Sequence, residues 1–210
     1  EPRPVEAVQD LASEVQCWWL EHDQERLSDE GRRELLNTLL SRSAQDAALA
    51  TAHLVAGHLA SVLSTEDLSR LVSWATAQPA IEPATRDGVV MVGVVPWLRA
   101  SGRLFDLPIA SGWCRSRNPA TQRAGFLVLA SLLRAAKSNG SVEPQAIFEL
   151  CCSAELAANP EVQRAVGCVL GLLLNRHADL IAACLQAHIS RFSRSTLQLA
   201  LARQPARLRQ

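Results

Sequence analysis

Residues 118–133 read NPATQRAGFLVLASLL, and residues 159–174 read NPEVQRAVGCVLGLLL. Nine of the 16 aligned positions are identical, at a displacement of 41. Both stretches open on Asn-Pro, a cap residue followed by a first-turn proline. Both continue with apolar residues at spacings of three and four, the period of a helix with one buried face. A looser copy lies upstream, where Pro83, Ala84 and Thr85 precede Arg86-Asp87 as Pro119, Ala120 and Thr121 precede Gln122-Arg123. A fourth, weak copy centres on Asp46. A period near 40 with two helices per unit predicts an all-α, HEAT-like α-solenoid of stacked antiparallel helix pairs. No helix pair buries its own apolar face, so neighbours must stack.

The expected layout is one domain over residues 1–210, with repeats at about 5–42, 44–78, 83–115, 118–153 and 159–203. Some eleven helices of 10–18 residues fit this span. Further start signals are Pro4, Ser28 and the capping-box pattern from Ser64 to Asp67. Gly102 and Gly140 mark breaks.

Composition is that of a globular chain. Of 210 residues, 48% are apolar and 20% charged, and no apolar run reaches a membrane span. Nothing at the start of the sequence reads as a signal peptide. The zero net charge hides an asymmetry: residues 1–82 carry 14 acids against 6 bases, and residues 83–210 carry 15 bases against 7 acids. Lys137 is the only lysine among 21 bases. A basic C-terminal part suits contact with phosphates.

The six cysteines, Cys17, Cys114, Cys151, Cys152, Cys168 and Cys184, sit mostly among apolar residues without metal spacing. They read as core thiols of a reducing cytoplasm. The five histidines are scattered, and His53 and His58 would diverge on a helix, so no metal site is expected. P-loop, GxGxxG, GxSxG and HExxH patterns are absent. Trp18 and Trp19 are expected to pack the first helix, and Trp74, Trp97 and Trp113 to fill inter-helix core. His22, His177 and His188 carry no assigned role.

The repeat register brings Asp46, Asp87, Arg123 and Arg164 to one place in successive second helices. In a solenoid such positions form a ladder. Inter-repeat ion pairs, for example Asp87 with Arg123, would make it structural. A carboxylate with arginines in a concave groove would make it functional.

Residues 113–124, WCRSRNPATQRA, resemble the W-x-x-S-x-N-x-x-x-x-R-A string of the AlkD-type DNA alkylation-repair family. Residues 162–167, VQRAVG, resemble a later helix of that family, and residues 190–200 its closing stretch. The likeness runs from about Glu82 to the end of the chain. It implies a HEAT-like DNA glycosylase that excises cationic N3- and N7-alkylated purines from duplex DNA, without a cofactor or metal. It implies Asp87 as the catalytic carboxylate and Arg123 on the DNA backbone. Because a guanidinium fork binds two phosphate oxygens at once, Arg86, Arg115, Arg117 and Arg164 are further DNA-binding candidates, and the tail arginines Arg203, Arg207 and Arg209 are weaker ones. The expected protein is a cytoplasmic monomer, associated with the nucleoid when it binds DNA. The family's two tryptophans are replaced by Pro83 and Cys168. The alternative is a non-catalytic HEAT-like DNA-binding or protein-interaction scaffold.

Overall fold

The structure is a computed structural model that describes Glu30 and residues 64–77, 81–100, 107–135, 143–154 and 159–202. Asp46, Cys17, His22, His53, His58, Trp18, Trp19, Pro4, Ser28, Gly102, Gly140 and the tail from Arg203 lie outside the described residues. The chain divides into two compact units, Glu1–Leu104 and Phe105–Gln210. Every regular element among the described residues is helical. The fold is all-α, in a solenoid-like arrangement of helices.

The first unit holds α1 (Thr65–Ala77), α2 (Pro83–Gly88), a π-helical segment (Val89–Val94) and α3 (Val95–Ala100). A true capping box starts α1. The Asp67 N–H donates to Ser64 Oγ at 3.2 Å, and the Ser64 N–H donates to Asp67 Oδ2 at 2.9 Å. The pair satisfies two otherwise orphaned donors, as the sequence pattern predicted. Leu68, Leu71, Val72 and Ala75 are buried one helical turn apart, and α1 packs on the π segment.

The elements α2 and α3 are shorter than the expected 10–18 residues, at six residues each. They nonetheless continue through the π segment, because the residues flanking it keep right-handed helical dihedrals. Val89, Val90, Val94, Val95, Trp97 and Leu98 turn into the core.

The second unit holds α4 (Leu107–Cys114), α5 (Pro119–Ala135), α6 (Pro144–Ser153), α7 (Pro160–Arg176), α8 (Ala178–His188), a 3-10 turn (Ile189–Arg191) and α9 (Arg194–Leu201). The two longest, α5 and α7, are the two copies of the repeat. Asn118 Oδ1 accepts the N–H groups of Ala120 and Thr121, and Asn159 Oδ1 those of Glu161 and Val162. Each cap satisfies two of the three orphan donors left at its helix start, since the first-turn proline has no N–H.

Helix α7 sits at the middle of this unit, packed on α5, α6, α8 and α9. Val162, Val166, Val169, Leu170 and Leu173 are each at most 1% exposed. Two glycines bring α9 close. A Cβ at Gly167 would stand 2.9 Å from the Thr196 carbonyl oxygen, and one at Gly171 would stand 3.1 Å from that of Ala200. Residues 167 and 171 thus advance together with 196 and 200, which makes α7 and α9 parallel. Burying such faces at about 25 cal/mol per Å² is what holds the stack together.

Two expectations about the core are corrected. Trp97 and Trp113 are buried, but Trp74 is half-buried. Cys114 and Cys151 are core thiols, whereas Cys152 and Cys184 are half-buried and Cys168 is exposed. Cys168 lies on the strip of α7 left open between α5 and α9, where apolar periodicity has no hold.

Candidate functional site

The segment around 113–124 is built from turn chemistry. Trp113 is buried, and its carbonyl accepts the Ser116 N–H at 3.0 Å. Ser116 Oγ then accepts the Asn118 N–H at 3.2 Å. Gln122, also buried, donates from Nε2 to the Cys114 carbonyl at 3.0 Å and so satisfies the end of α4. Arg117 stands exposed at this turn, beside the start of α5.

Arg123 follows Gln122 and crosses to the next repeat. Its Nη1 lies 2.9 Å from Glu161 Oε2 and donates to the Glu161 carbonyl oxygen at 2.9 Å. Arg164, its equivalent one repeat on, holds Glu161 Oε1 at 2.8 Å. One carboxylate thus bridges two guanidinium groups. Arg123 is 19% exposed along its side chain and Arg164 69%. The sequence expectation paired Arg123 with Asp87; the inter-repeat acid seen on Arg123 is Glu161. Sequence comparison aligned the two arginines but had no means of selecting this acid, because the earlier repeat has Ala120 in its place.

This contact joins the first turns of α5 and α7. The first turns of α7 and α9 are joined as well. Ser193 Oγ and Ser195 Oγ both donate to Gln163 Oε1, at 3.0 and 3.1 Å, and Ser193 Oγ accepts the Thr196 N–H. The N-termini of α5, α7 and α9 therefore share one edge of the second unit. Arg117, Arg164 and Arg194 are exposed along it. Helix N-termini carry partial positive charge, and guanidinium groups match phosphate oxygens in pairs, so this edge suits an anionic polymer. Arg194 was not singled out from the sequence; the signal that marks it is its place just after the Ser193 cap.

In the first unit, Asp87 is half-buried at the end of α2, next to half-buried Arg86. The π segment begins two residues later. Such segments are rare and concentrate at functional sites, because the wider turn re-aims neighbouring side chains. Pro83 is the first residue of α2, where its missing N–H costs no hydrogen bond.

A cavity of about 390 Å³ lies in the second unit, lined by Glu149 and Cys152 of α6, Cys184 and His188 of α8, and Arg191. Burial pushes the Cys152 thiol above its usual range, against an opposing effect of Arg191. Among the described residues, no group of three or more His, Cys, Asp or Glu is placed to hold a metal ion. No helix among them is long and apolar enough to cross a membrane.

The chain has no match among curated proteins or among solved structures. The profile of the DNA alkylation repair enzyme family, by contrast, matches residues 8–203 and so takes in both units, the Asp87 segment and the basic edge. The chain belongs to the DNA alkylation repair enzyme family.

Proposed function

We propose that this protein binds duplex DNA through the arginine-bearing edge of its second unit and releases cationic N3- or N7-alkylated purines, with Asp87 as the catalytic carboxylate. The observation that carries the DNA reading is the shared N-terminal edge of α5, α7 and α9 with Arg117, Arg164 and Arg194 exposed on it. The family supplies the repair context.

The chemistry asks little of the protein. A purine alkylated at N3 or N7 carries a positive charge, so it leaves with the electrons of its C1′–N bond and no proton need be added. Positive charge then develops on the sugar. A carboxylate held nearby stabilises that charge and orients the water that attacks C1′. Half-buried Asp87 is a group of this type. Arg86, Arg117, Arg123 and Arg164 are the proposed DNA-backbone contacts. Of these, Arg123 and Arg164 share Glu161 in the structure and reach phosphate by exchanging that carboxylate for it.

The Arg123–Glu161 pair also favours a second reading, a scaffold in which the ladder is structural and no DNA is bound. One pair of assays separates the readings. Methylated duplex DNA incubated with the protein should release 7-methylguanine or 3-methyladenine, and Asp87→Asn should release it slower by a factor on the order of 10² or more. Intact DNA with both proteins removes the glycosylase reading. A salt-sensitive shift of unmodified duplex then distinguishes binder from scaffold.

A further inference from the structure

Resting on the DNA-binding reading above, we propose that Glu161 is an internal competitor for the DNA backbone, a phosphate surrogate that occupies Arg123 and Arg164 until a phosphate displaces it. Its two oxygens meet two different guanidinium groups, Oε2 with Arg123 at 2.9 Å and Oε1 with Arg164 at 2.8 Å. A phosphodiester offers two non-bridging oxygens of like charge and similar spacing.

Three observations separate this role from a purely structural one. The α7 start does not depend on the carboxylate, because Asn159 Oδ1 already accepts the Glu161 and Val162 N–H groups. Arg123 does not depend on it either, because Nη1 also donates to the Glu161 carbonyl oxygen, which any residue would supply. The repeat pattern does not require it, since Ala120 holds the equivalent place one repeat earlier. What the carboxylate does is set charge at the middle of an otherwise basic edge. Its side chain is 38% exposed and that of Arg164 69%, so an incoming phosphate can reach both. The exposed Arg164–Glu161 pair is of the kind that adds little to stability, whereas Arg123 is 19% exposed and is reached after it.

The consequence is a lowered affinity for undamaged DNA. Binding must break two charge-assisted contacts before it makes new ones, so the gain per phosphate is reduced along the whole duplex. Glu161 thus sets affinity for the DNA backbone and is not a catalytic residue.

The test uses the full chain and fluorescence anisotropy with a short labelled duplex of unmodified DNA. Glu161→Gln should tighten binding several-fold, up to about tenfold, and steepen its dependence on salt. Glu161→Asp should resemble wild type. Glu143→Gln, which removes an exposed acid at the start of α6 and away from the bridge, should change affinity by less than about twofold. Arg164→Ala should cost more in the Glu161→Gln background than in wild type, a coupling that simple charge removal does not produce. The proposal is overturned if Glu161→Gln binds no more tightly than wild type, or gains no more than Glu143→Gln. Wild-type binding with no effect of Glu161→Gln removes this inference and leaves the DNA reading intact. Binding by Glu161→Gln alone supports the inference and shows wild type to be held off DNA. Absence of binding by both removes the two together.

Discussion

Gly125 of α5 runs so close to the end of α4 that a Cβ on it would stand 2.6 Å from the Cys114 backbone nitrogen and 2.9 Å from the Trp113 carbonyl carbon. The contact is backbone to backbone, so no side-chain rotation relieves it. It lies directly beneath the hydrogen bond from Gln122 to the Cys114 carbonyl, which orients the turn carrying Arg117. Gly125→Ala should therefore destabilise the protein by about 1–3 kcal/mol through forced separation of α4 and α5. Gly112 is the internal control: a Cβ there meets nothing within 4 Å. Gly112→Ala should be neutral or should stabilise by up to about 1 kcal/mol, because alanine restricts the unfolded chain and favours helix. Urea unfolding of the two variants checks both signs at once.

The buried thiols predict how stability changes with alkali. Burial drives the Cys114 thiol far above its ordinary value of 9.0, with the Arg115 charge opposing it more weakly. Burial likewise raises Cys151, with the neighbouring Cys114 and Cys152 adding to the effect. A thiol whose folded-state pKa is raised stays protonated in the native protein while the unfolded chain ionises. Its stabilising effect is complete below the ordinary thiol range and declines as pH rises through it. The slope should approach about 1.4 kcal/mol per pH unit for each buried thiol. Apart from the other four thiols, the sequence has no tyrosine and a single lysine, Lys137, to titrate in this range. Unfolding free energies on either side of pH 9 should fall with pH, and Cys114→Ala with Cys151→Ala should flatten the fall. In the native protein, iodoacetamide should modify exposed Cys168 before either buried thiol.

What the sequence displayed and what it hid divide along a physical line. The caps at Ser64, Asn118 and Asn159 were legible because each is a local contact, made within three residues of itself. The repeat was legible because α5 and α7 bury faces of the same period. The acid that meets Arg123 was not, because a contact over 38 positions depends on how two repeats stack. The exposure of Cys168 was hidden for the same reason: a thiol counts as apolar, and only the placement of α5 and α9 leaves its side of α7 open. The π segment after Asp87 was also hidden, since VVMVGV is as consistent with an ordinary helix.

Asp87→Asn separates binding from chemistry. Asparagine has nearly the same shape and lacks the charge that would stabilise an oxocarbenium-like sugar. Release of 7-methylguanine from methylated duplex should fall by a factor on the order of 10² or more. Affinity for unmodified duplex should stay within about twofold of wild type, because one charge changes by one unit and no phosphate-binding guanidinium is removed. A parallel loss of both would mean that the variant is misfolded or that Asp87 holds the fold, and its thermal unfolding would show which.

Arg164 and Arg194 offer a quantitative test of the basic edge. Both are exposed, and each starts from the first turns of parallel helices bridged by Gln163, Ser193 and Ser195. A cation that neutralises a phosphate releases condensed counterions, so each real contact contributes about 0.9 to the slope of log affinity against log salt. Arg194→Ala should lower that slope by about this amount and weaken binding equally on all sequences. Arg164→Ala should lower it by less in the wild-type background, because Glu161 already holds its Nη1 at 2.8 Å. Titrating a short duplex at three or more salt concentrations gives both slopes. Equal slopes for wild type and Arg194→Ala would place the DNA elsewhere on the molecule.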